Sequence, residues 1–264
     1  MTFPEVPAGW TISWAKETGS TNRDALALLT VGRANDRTVL AADSQSAGRG
    51  RMDREWFSPP GVNIYASAIL CPEIDDPPLL ATLPLLVGLG IAKAVAAAAK
   101  GGGAMVKWPN DIWLNGRKVC GILCEMHTRP GGLPTVVAGF GLNVNLKAED
   151  LPDDLKPRAT SLAIETGKSF DRREILADVL RRFDPLYRIW RGAGLKPFLA
   201  ELNSLNALRG YRVKMALTGE PLSGVAGEIR EDGGLELRLD DGTVRAVYSG
   251  EAHITEVGVT YPTL

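Results

Sequence analysis

Apolar and polar positions along this chain fall into blocks whose period switches between that of a strand and that of a helix. Residues 10–15 and 38–42 are short apolar runs and predict strands. Between them, Ser20-Thr21-Asn22 opens a helical pattern through about Leu29, with Ser20 or Thr21 as the N-cap. Residues 43–61 are polar and rich in Gly, Arg and Pro, the composition of a long loop, and 62–70 return to strand. Residues 79–99 predict a long apolar helix that stops at Gly101-Gly102-Gly103. Strands follow near 104–107, 111–114, 118–126 and 134–144. An irregular segment begins at 151–156, and 160–166 predict a short helix. Asp171 caps a helix running to about Trp190, and 196–206 continue helical.

After Leu208 the texture changes. Residues 213–217, 222–229, 235–239, 244–248 and 253–257 are short strand-like runs. Between them lie Thr218-Gly219-Glu220, Glu231-Asp232-Gly233-Gly234 and Asp240-Asp241-Gly242, the chemistry of tight turns. Five such strands in so short a span predict a small antiparallel barrel of the SH3-like kind. The pattern therefore divides the chain into residues 1–207 and 208–264.

Composition narrows the class. The chain has 264 residues with 30 Lys+Arg against 31 Asp+Glu, a near-zero balance that argues against a nucleic-acid-coating or membrane-surface protein. Three Cys are too few for a disulfide scaffold and favour a reduced, cytoplasmic setting. The N-terminal MTFPEVPAGW has neither a basic nor an apolar region of the kind a secretory signal needs. The apolar stretch from Pro77 to Ala92 reads as a buried core helix rather than a membrane span.

Four segments carry candidate chemistry. Asp43 through Trp56 holds Gly48-Arg49-Gly50-Arg51 and Arg54: glycine lets the backbone approach a ligand, and arginine offers fixed forks to carboxylate or phosphate. That describes a mobile loop folding over an anion, although a solvated basic loop has the same composition. Lys107-Trp108-Pro109-Asn110-Asp111 sets a cation, an amide and a carboxylate around one turn, compact enough for phosphate contact and Mg²⁺. In the run starting at Arg117, period two places Lys118 on one face with Cys120, Ile122, Cys124 and Met126, and Gly121 in mid-strand predicts close backbone approach. Gly139-x-Gly141-x-Asn143 adds more crowded backbone and a polar tip. Each of these also fits an ordinary turn, bulge or strand end.

Other signals fail. Gly167-Lys168-Ser169 lacks the upstream Gly of a phosphate-binding loop, since that position is Leu162. Gly139-x-Gly141 lacks the third Gly of a dinucleotide fingerprint. With only two His, His127 and His253, zinc sites and His-based triads are unsupported, and His253 reads as an ordinary barrel position.

Taken in order, the segments resemble the biotin protein ligases. Ser20-Thr21-Asn22, Gln45 through Arg51, Trp56 with Ser58-Pro59-Pro60-Gly61 and Asn63, Lys107 through Asp111, Lys118-x-x-Gly121-Ile122-Leu123, Gly139-x-Gly141-x-Asn143, Ala159-Thr160-Ser161-Leu162 and Gly250-Glu251 all match that family's motifs. One departure is Asp53, where the family often has Gly or Asn. The resemblance implies an α+β fold, a mixed sheet backed by helices like the class II aminoacyl-tRNA synthetases, with the small barrel behind it. It implies the monofunctional type, without an N-terminal DNA-binding module.

The implied reaction joins biotin to ATP as biotinyl-5′-AMP, then passes biotin to a lysine of an apo biotin carboxyl carrier protein. By resemblance Ser20, Thr21, Asn22, Gln45, Gly48, Arg49, Lys118 and Gly121 would serve biotin. Arg51, Arg54, Trp56, Lys107, Asn110, Asp111, Asn143 and Glu251 would serve ATP and the adenylate, with Lys118 and Arg51 catalytic and Asp111 on Mg²⁺. Expected partners are biotin and the carrier, not DNA or membrane. An edge strand leaves a homodimer compatible. Two rivals stand beside this reading. A lipoate–protein ligase would carry a Gly-Gly-Gly loop followed by a His, a combination this chain lacks. A non-catalytic biotin or biotinyl-AMP sensor would not need Lys107, Asp111 and Lys118 together.

Overall fold

The computed structural model describes residues 3–256, apart from 34, 53, 101, 129–131 and 217–220. Asp53, the helix stop at Gly101, the turn Thr218-Gly219-Glu220 with Leu217 before it, and Val257 therefore lie outside the described residues.

Seven strands make the first sheet: β1 (Thr11–Ala15), β2 (Thr38–Ala42), β3 (Ile64–Leu70), β4 (Ala104–Lys107), β5 (Asp111–Leu114), β6 (Arg117–Thr128) and β7 (Pro134–Leu142). Their order is β1-β2-β3-β7-β6-β5-β4. Only β1 and β2 run parallel, so the sheet is mixed. β3 and β7 sit at its centre, and every residue of both is buried, which is why they read as continuous apolar runs rather than alternating ones.

The two faces of the sheet are covered unequally. One face, carrying Ile64, Ala66, Ala68, Val136, Ala138 and Phe140, belongs to the main core together with α3 (Leu83–Ala98) and α5 (Arg172–Ala193). α5 is amphipathic, and its buried Ile175, Val179, Phe183, Leu186 and Trp190 recur at helical spacing. A side chain at Gly90 of α3 would place its Cβ 3.2 Å from the Phe183 Cα, so glycine there sets how closely the two helices pack. The other face receives α1 (Thr21–Thr30), whose Ala25 and Leu29 meet Ile69 and Val137. α1 covers only part of that face.

The expected helix over 79–99 is two pieces, α2 (Pro77–Leu80) and α3. Pro84 has no N–H to donate back, so the helix restarts there. Pro77–Ala98 is apolar and long enough by composition to cross a membrane, yet most of it is buried in the fold. It is a core segment. α4 (Leu162–Thr166) and α6 (Leu199–Ser204) complete the helices.

A second, antiparallel sheet of five strands follows: β8 (Arg212–Ala216), β9 (Leu222–Ile229), β10 (Leu235–Arg238), β11 (Val244–Val247) and β12 (Glu251–Glu256), in the order β11-β10-β9-β8-β12. This is the small C-terminal module that the turn chemistry predicts. Its Val213, Met215, Ala226 and Leu237 belong to the same continuous core as the first sheet. The Asn203 side chain ties α6 to Ile229, accepting from its N–H at 2.7 Å and donating to its carbonyl at 3.0 Å.

Candidate active site

The part of the sheet that α1 leaves uncovered is floored by glycine. Gly121 pairs with Gly141 and Leu123 with Gly139 across β6 and β7, so the three glycines share one face. A Cβ at Gly141 would fall 2.2 Å from the Trp56 indole nitrogen, and one at Gly139 would fall 1.9 Å from Asn22 Oδ1. The close approach inferred from Gly121 is made by Trp56 of the loop and by Lys118, while Asn22 of α1 approaches Gly139. Above this floor lies a cleft of about 530 Å³.

Lys118 points into this cleft, not onto the face that period two assigns it. Cys120 pairs with Ile112 and Lys118 with Trp113, leaving Val119 as a bulge residue between them. The bulge moves Lys118 to the Gly121 face, while Cys120 stays fully buried in the core behind. There Lys118 Nζ pairs with Asp111 Oδ1 at 2.7 Å and lies 5.3 Å from the centre of the Trp56 ring. Burial pushes the Cys120 and Cys124 thiols well up, so neither is a nucleophile.

The arginine loop folds over the opening, with Arg49 and Glu55 bridged in antiparallel fashion. Arg51 Nη1 donates to Asn110 Oδ1 at 3.0 Å and to the Gly250 carbonyl at 3.4 Å. Arg54 forms a two-nitrogen fork on Glu251, at 3.0 Å through Nη1 and closer through Nη2. That fork holds the Glu251 carboxyl at about 2, far below its ordinary value. Burial pulls Arg51 and Lys107 down, Lys107 while it lies 5.1 Å from the Trp113 ring centre. Asn110 is fixed by donating to the Ile122 carbonyl at 2.7 Å, and the Trp108 indole anchors the same turn to the Gly233 carbonyl at 3.0 Å. Asn143 also lines the cleft, with its amide held between Asn63 and the Thr160 carbonyl.

The opposite end is polar and more enclosed. Ser20 occupies the N-cap position of α1, but its side chain makes no capping hydrogen bond, contrary to expectation; Thr21 is already the first helical residue. Ser20, Thr21, Asn22, Gln45 and Arg49 line this end. Gly48 does not; its Cβ would strike Ser58 Oγ at 2.6 Å, so it lets the loop pack behind Gln45. Arg49 Nε and Trp56 Nε1 are buried without a hydrogen-bond partner, the indole nitrogen lying against Gly141.

Several residues here escape a sequence reading. Ser67 is fully buried in β3, yet it touches both Thr21 and Asn22. Glu125 on β6 binds Asn22 and Arg49. Leu146, Leu151, Leu155 and Ala159, with Arg158, form an apolar annex beside the Lys118 end. His253 stands at the mouth with its Nε2 3.6 Å from Glu251, so it is more than an ordinary barrel position. Among the described residues no group of three His, Cys, Asp or Glu side chains could hold a metal ion.

A polar slot, its Arg49 paired with Glu125, opening into a chamber lined by Lys118, Arg51, Arg54 and Lys107 suits an enzyme that brings a small acid up to a polyphosphate. Residues 14–143 match the biotin/lipoate A/B protein ligase family. A biotin–[acetyl-CoA-carboxylase] ligase of Mycobacterium tuberculosis is 34% identical over 243 residues, covering 90% of this chain and 87% of that protein. The bifunctional ligase/repressor BirA of Bacillus spizizenii is 36% identical, over 84% of this chain and 67% of its own. The biotin protein ligase of Aquifex aeolicus, solved with biotin and ATP, superposes with a TM-score of 0.80 at 31% identity, covering 92% and 97% of the two chains. The chain belongs to this family, as one of its biotin protein ligases.

Proposed function

We propose that the cleft activates biotin with ATP to biotinyl-5′-AMP and then transfers biotin to one lysine of an apo biotin carboxyl carrier protein. The observation that carries this reading is the placement of Lys118, between the polar slot at Ser20, Thr21 and Gln45 and the cluster of Arg51, Arg54 and Lys107. The fused rings of biotin occupy the polar end near Ser20, Thr21 and Gln45, with the acyl chain running past the Trp56 ring, which itself covers Gly121 and Gly141. Its carboxylate then reaches Lys118. The apolar annex around Leu151 and Leu155 accepts the base, and the phosphates lie toward Arg51, Arg54 and Lys107.

The chemical difficulty is charge, because a carboxylate must approach a triphosphate. Lys118 exchanges Asp111 for the carboxylate and the oxygens gathering on the α-phosphorus, a preorganised cation where negative charge develops. A biotin carboxylate oxygen bonds to that phosphorus as the bond to the bridging oxygen breaks and pyrophosphate leaves. The carrier amine next attacks the acyl carbon, AMP leaves, and the amine loses its proton. No enzyme nucleophile is used, which agrees with the buried thiols. Among the described residues Asp111 is the carboxylate paired with Lys118; it would hold a Mg²⁺ through a single protein oxygen, and the ion would supply charge neutralisation to the phosphates. Trp56 and the Arg51 and Arg54 contacts close the chamber.

In this reading residues 1–207 carry the chemistry, and 208–264 supply Gly250 and Glu251 to the lid. The test is carrier modification. Purified protein with ATP, biotin and an apo carrier domain should add one biotinyl group to the carrier, visible by mass spectrometry and abolished by Lys→Arg at the acceptor. Bound biotinyl-AMP with an unmodified carrier would instead make the protein a sensor, and labelling with lipoate alone would make it a lipoate ligase.

A further inference from the structure

One hydroxyl carries one proton, and this rule fixes the direction of a chain of hydrogen bonds behind the slot. Asn22 Nδ2 faces two acceptors, Glu125 Oε2 at 2.7 Å and the Leu123 carbonyl at 3.3 Å. Its Oδ1 is therefore an acceptor, and the contact of 2.5 Å with Ser67 Oγ must be donated by Ser67. Ser67 then has no proton left for Thr21 Oγ1 at 2.7 Å, so that contact is donated by Thr21. Gln45 Oε1 accepts from the Thr21 backbone N–H at 2.9 Å, which makes it the oxygen of its amide. Thr21 Oγ1 and Gln45 Oε1 thus stand 3.2 Å apart with no proton of the protein between them.

We infer that Glu125 and Ser67 are positioning residues that make Thr21 and Gln45 a paired acceptor for an N–H donor of the ligand. Both acceptor residues line the cleft, whereas Ser67 and Glu125 are not among its lining residues. This rests on the reading that the ureido ring of biotin sits at this end; a ureido nitrogen carries one such N–H. The carboxylate of Glu125 starts the chain because it cannot donate. It also holds Arg49 Nη2 at 3.2 Å, which keeps that cation beside the slot. Replacing Glu125 with an amide allows the Asn22 amide to turn. Removing the Ser67 hydroxyl frees the Thr21 proton to turn onto Gln45 Oε1. In both cases the paired acceptor disappears without any change in a residue that touches biotin.

The test compares Glu125→Gln and Ser67→Ala with the unaltered protein in biotin-dependent ATP–pyrophosphate exchange. Both should raise KM for biotin roughly 10-fold, the loss expected for a ligand donor left unpaired, while KM for ATP stays within about twofold. Wild-type protein should discriminate against an analogue with one ureido N–H replaced by CH₂, and both variants should lose most of that discrimination. Thermal melting separates this from misfolding, and Glu125→Gln provides a second route should Ser67→Ala fold poorly. Folded variants with unchanged KM for biotin and unchanged discrimination would overturn the inference. Absence of exchange in the wild type would instead defeat the biotin reading on which it rests.

Discussion

In the proposed reaction, Lys118 concentrates the chemistry of the site in one side chain. Its ammonium pairs with Asp111 at 2.7 Å and faces the Trp56 ring, at the junction between the polar slot and the cationic chamber. Lys118→Ala should lower biotin-dependent pyrophosphate exchange at least ~100-fold, the scale of removing one charge-stabilising donor, with little change in melting temperature. Exchange within a few-fold of normal would remove Lys118 from the reaction. The sequence marks Lys118 through its motif, yet its face is misread because a bulge at Val119 breaks period two. Ser67 was invisible for another reason: a single hydroxyl inside Ile64-Tyr65-Ala66-Ser67-Ala68-Ile69-Leu70 looks like a tolerated small core residue. Only the fold shows that Thr21 and Asn22 stand above it.

At the scale of elements, the strands and helices follow the hydrophobic pattern closely, because β3 and β7 are buried on both faces and α5 is buried on one. The break between α2 and α3 follows from Pro84, a local signal overridden in reading the segment by its overall apolarity. What a sequence cannot show is which face of a doubly buried sheet is left open. That depends on the shortness of α1 and on glycine at 121, 139 and 141. The glycine between α3 and α5 gives a prediction at this scale. Gly90→Val would drive methyl groups into Phe183, so the variant should lose about 1–3 kcal/mol by chemical denaturation. A variant as stable as wild type would mean that the helices can separate freely. The cleft lies on the opposite face, so KM values of the folded variant should be unchanged.

Across the whole molecule, the second sheet closes the site of the first. Its Gly250 carbonyl and Glu251 carboxylate hold Arg51 and Arg54, and one core joins the two sheets. Arg51→Gly and Glu251→Gln should both let biotinyl-AMP escape and label bystander lysines, read by blotting a mixture with an excess of unrelated protein; labelling as selective as wild type would refute the lid role. The Arg54–Glu251 fork is exposed, so added salt should increase leakage as well. Its pH dependence has a definite sign. Glu251 is depressed from 4.5 to about 2 by the hydrogen bond from Arg54. The fork is therefore fully formed above the ordinary carboxylate value and lost only as pH falls toward about 2. Hydrogen exchange of the loop amides, corrected for intrinsic rates, should show constant protection from neutral pH down to about 5 and loss below that. Loss near neutrality would point to a different latch.

The central claim of the proposed function is the joining of a carboxylate to a nucleotide between Lys118 and the arginine loop. ATP–pyrophosphate exchange with purified protein, comparing biotin, lipoate and no acid, tests that step without any carrier. Exchange that depends on biotin, and is abolished by Lys118→Ala, is the predicted result. Tight biotin binding with no exchange, or exchange that needs lipoate, would contradict the account.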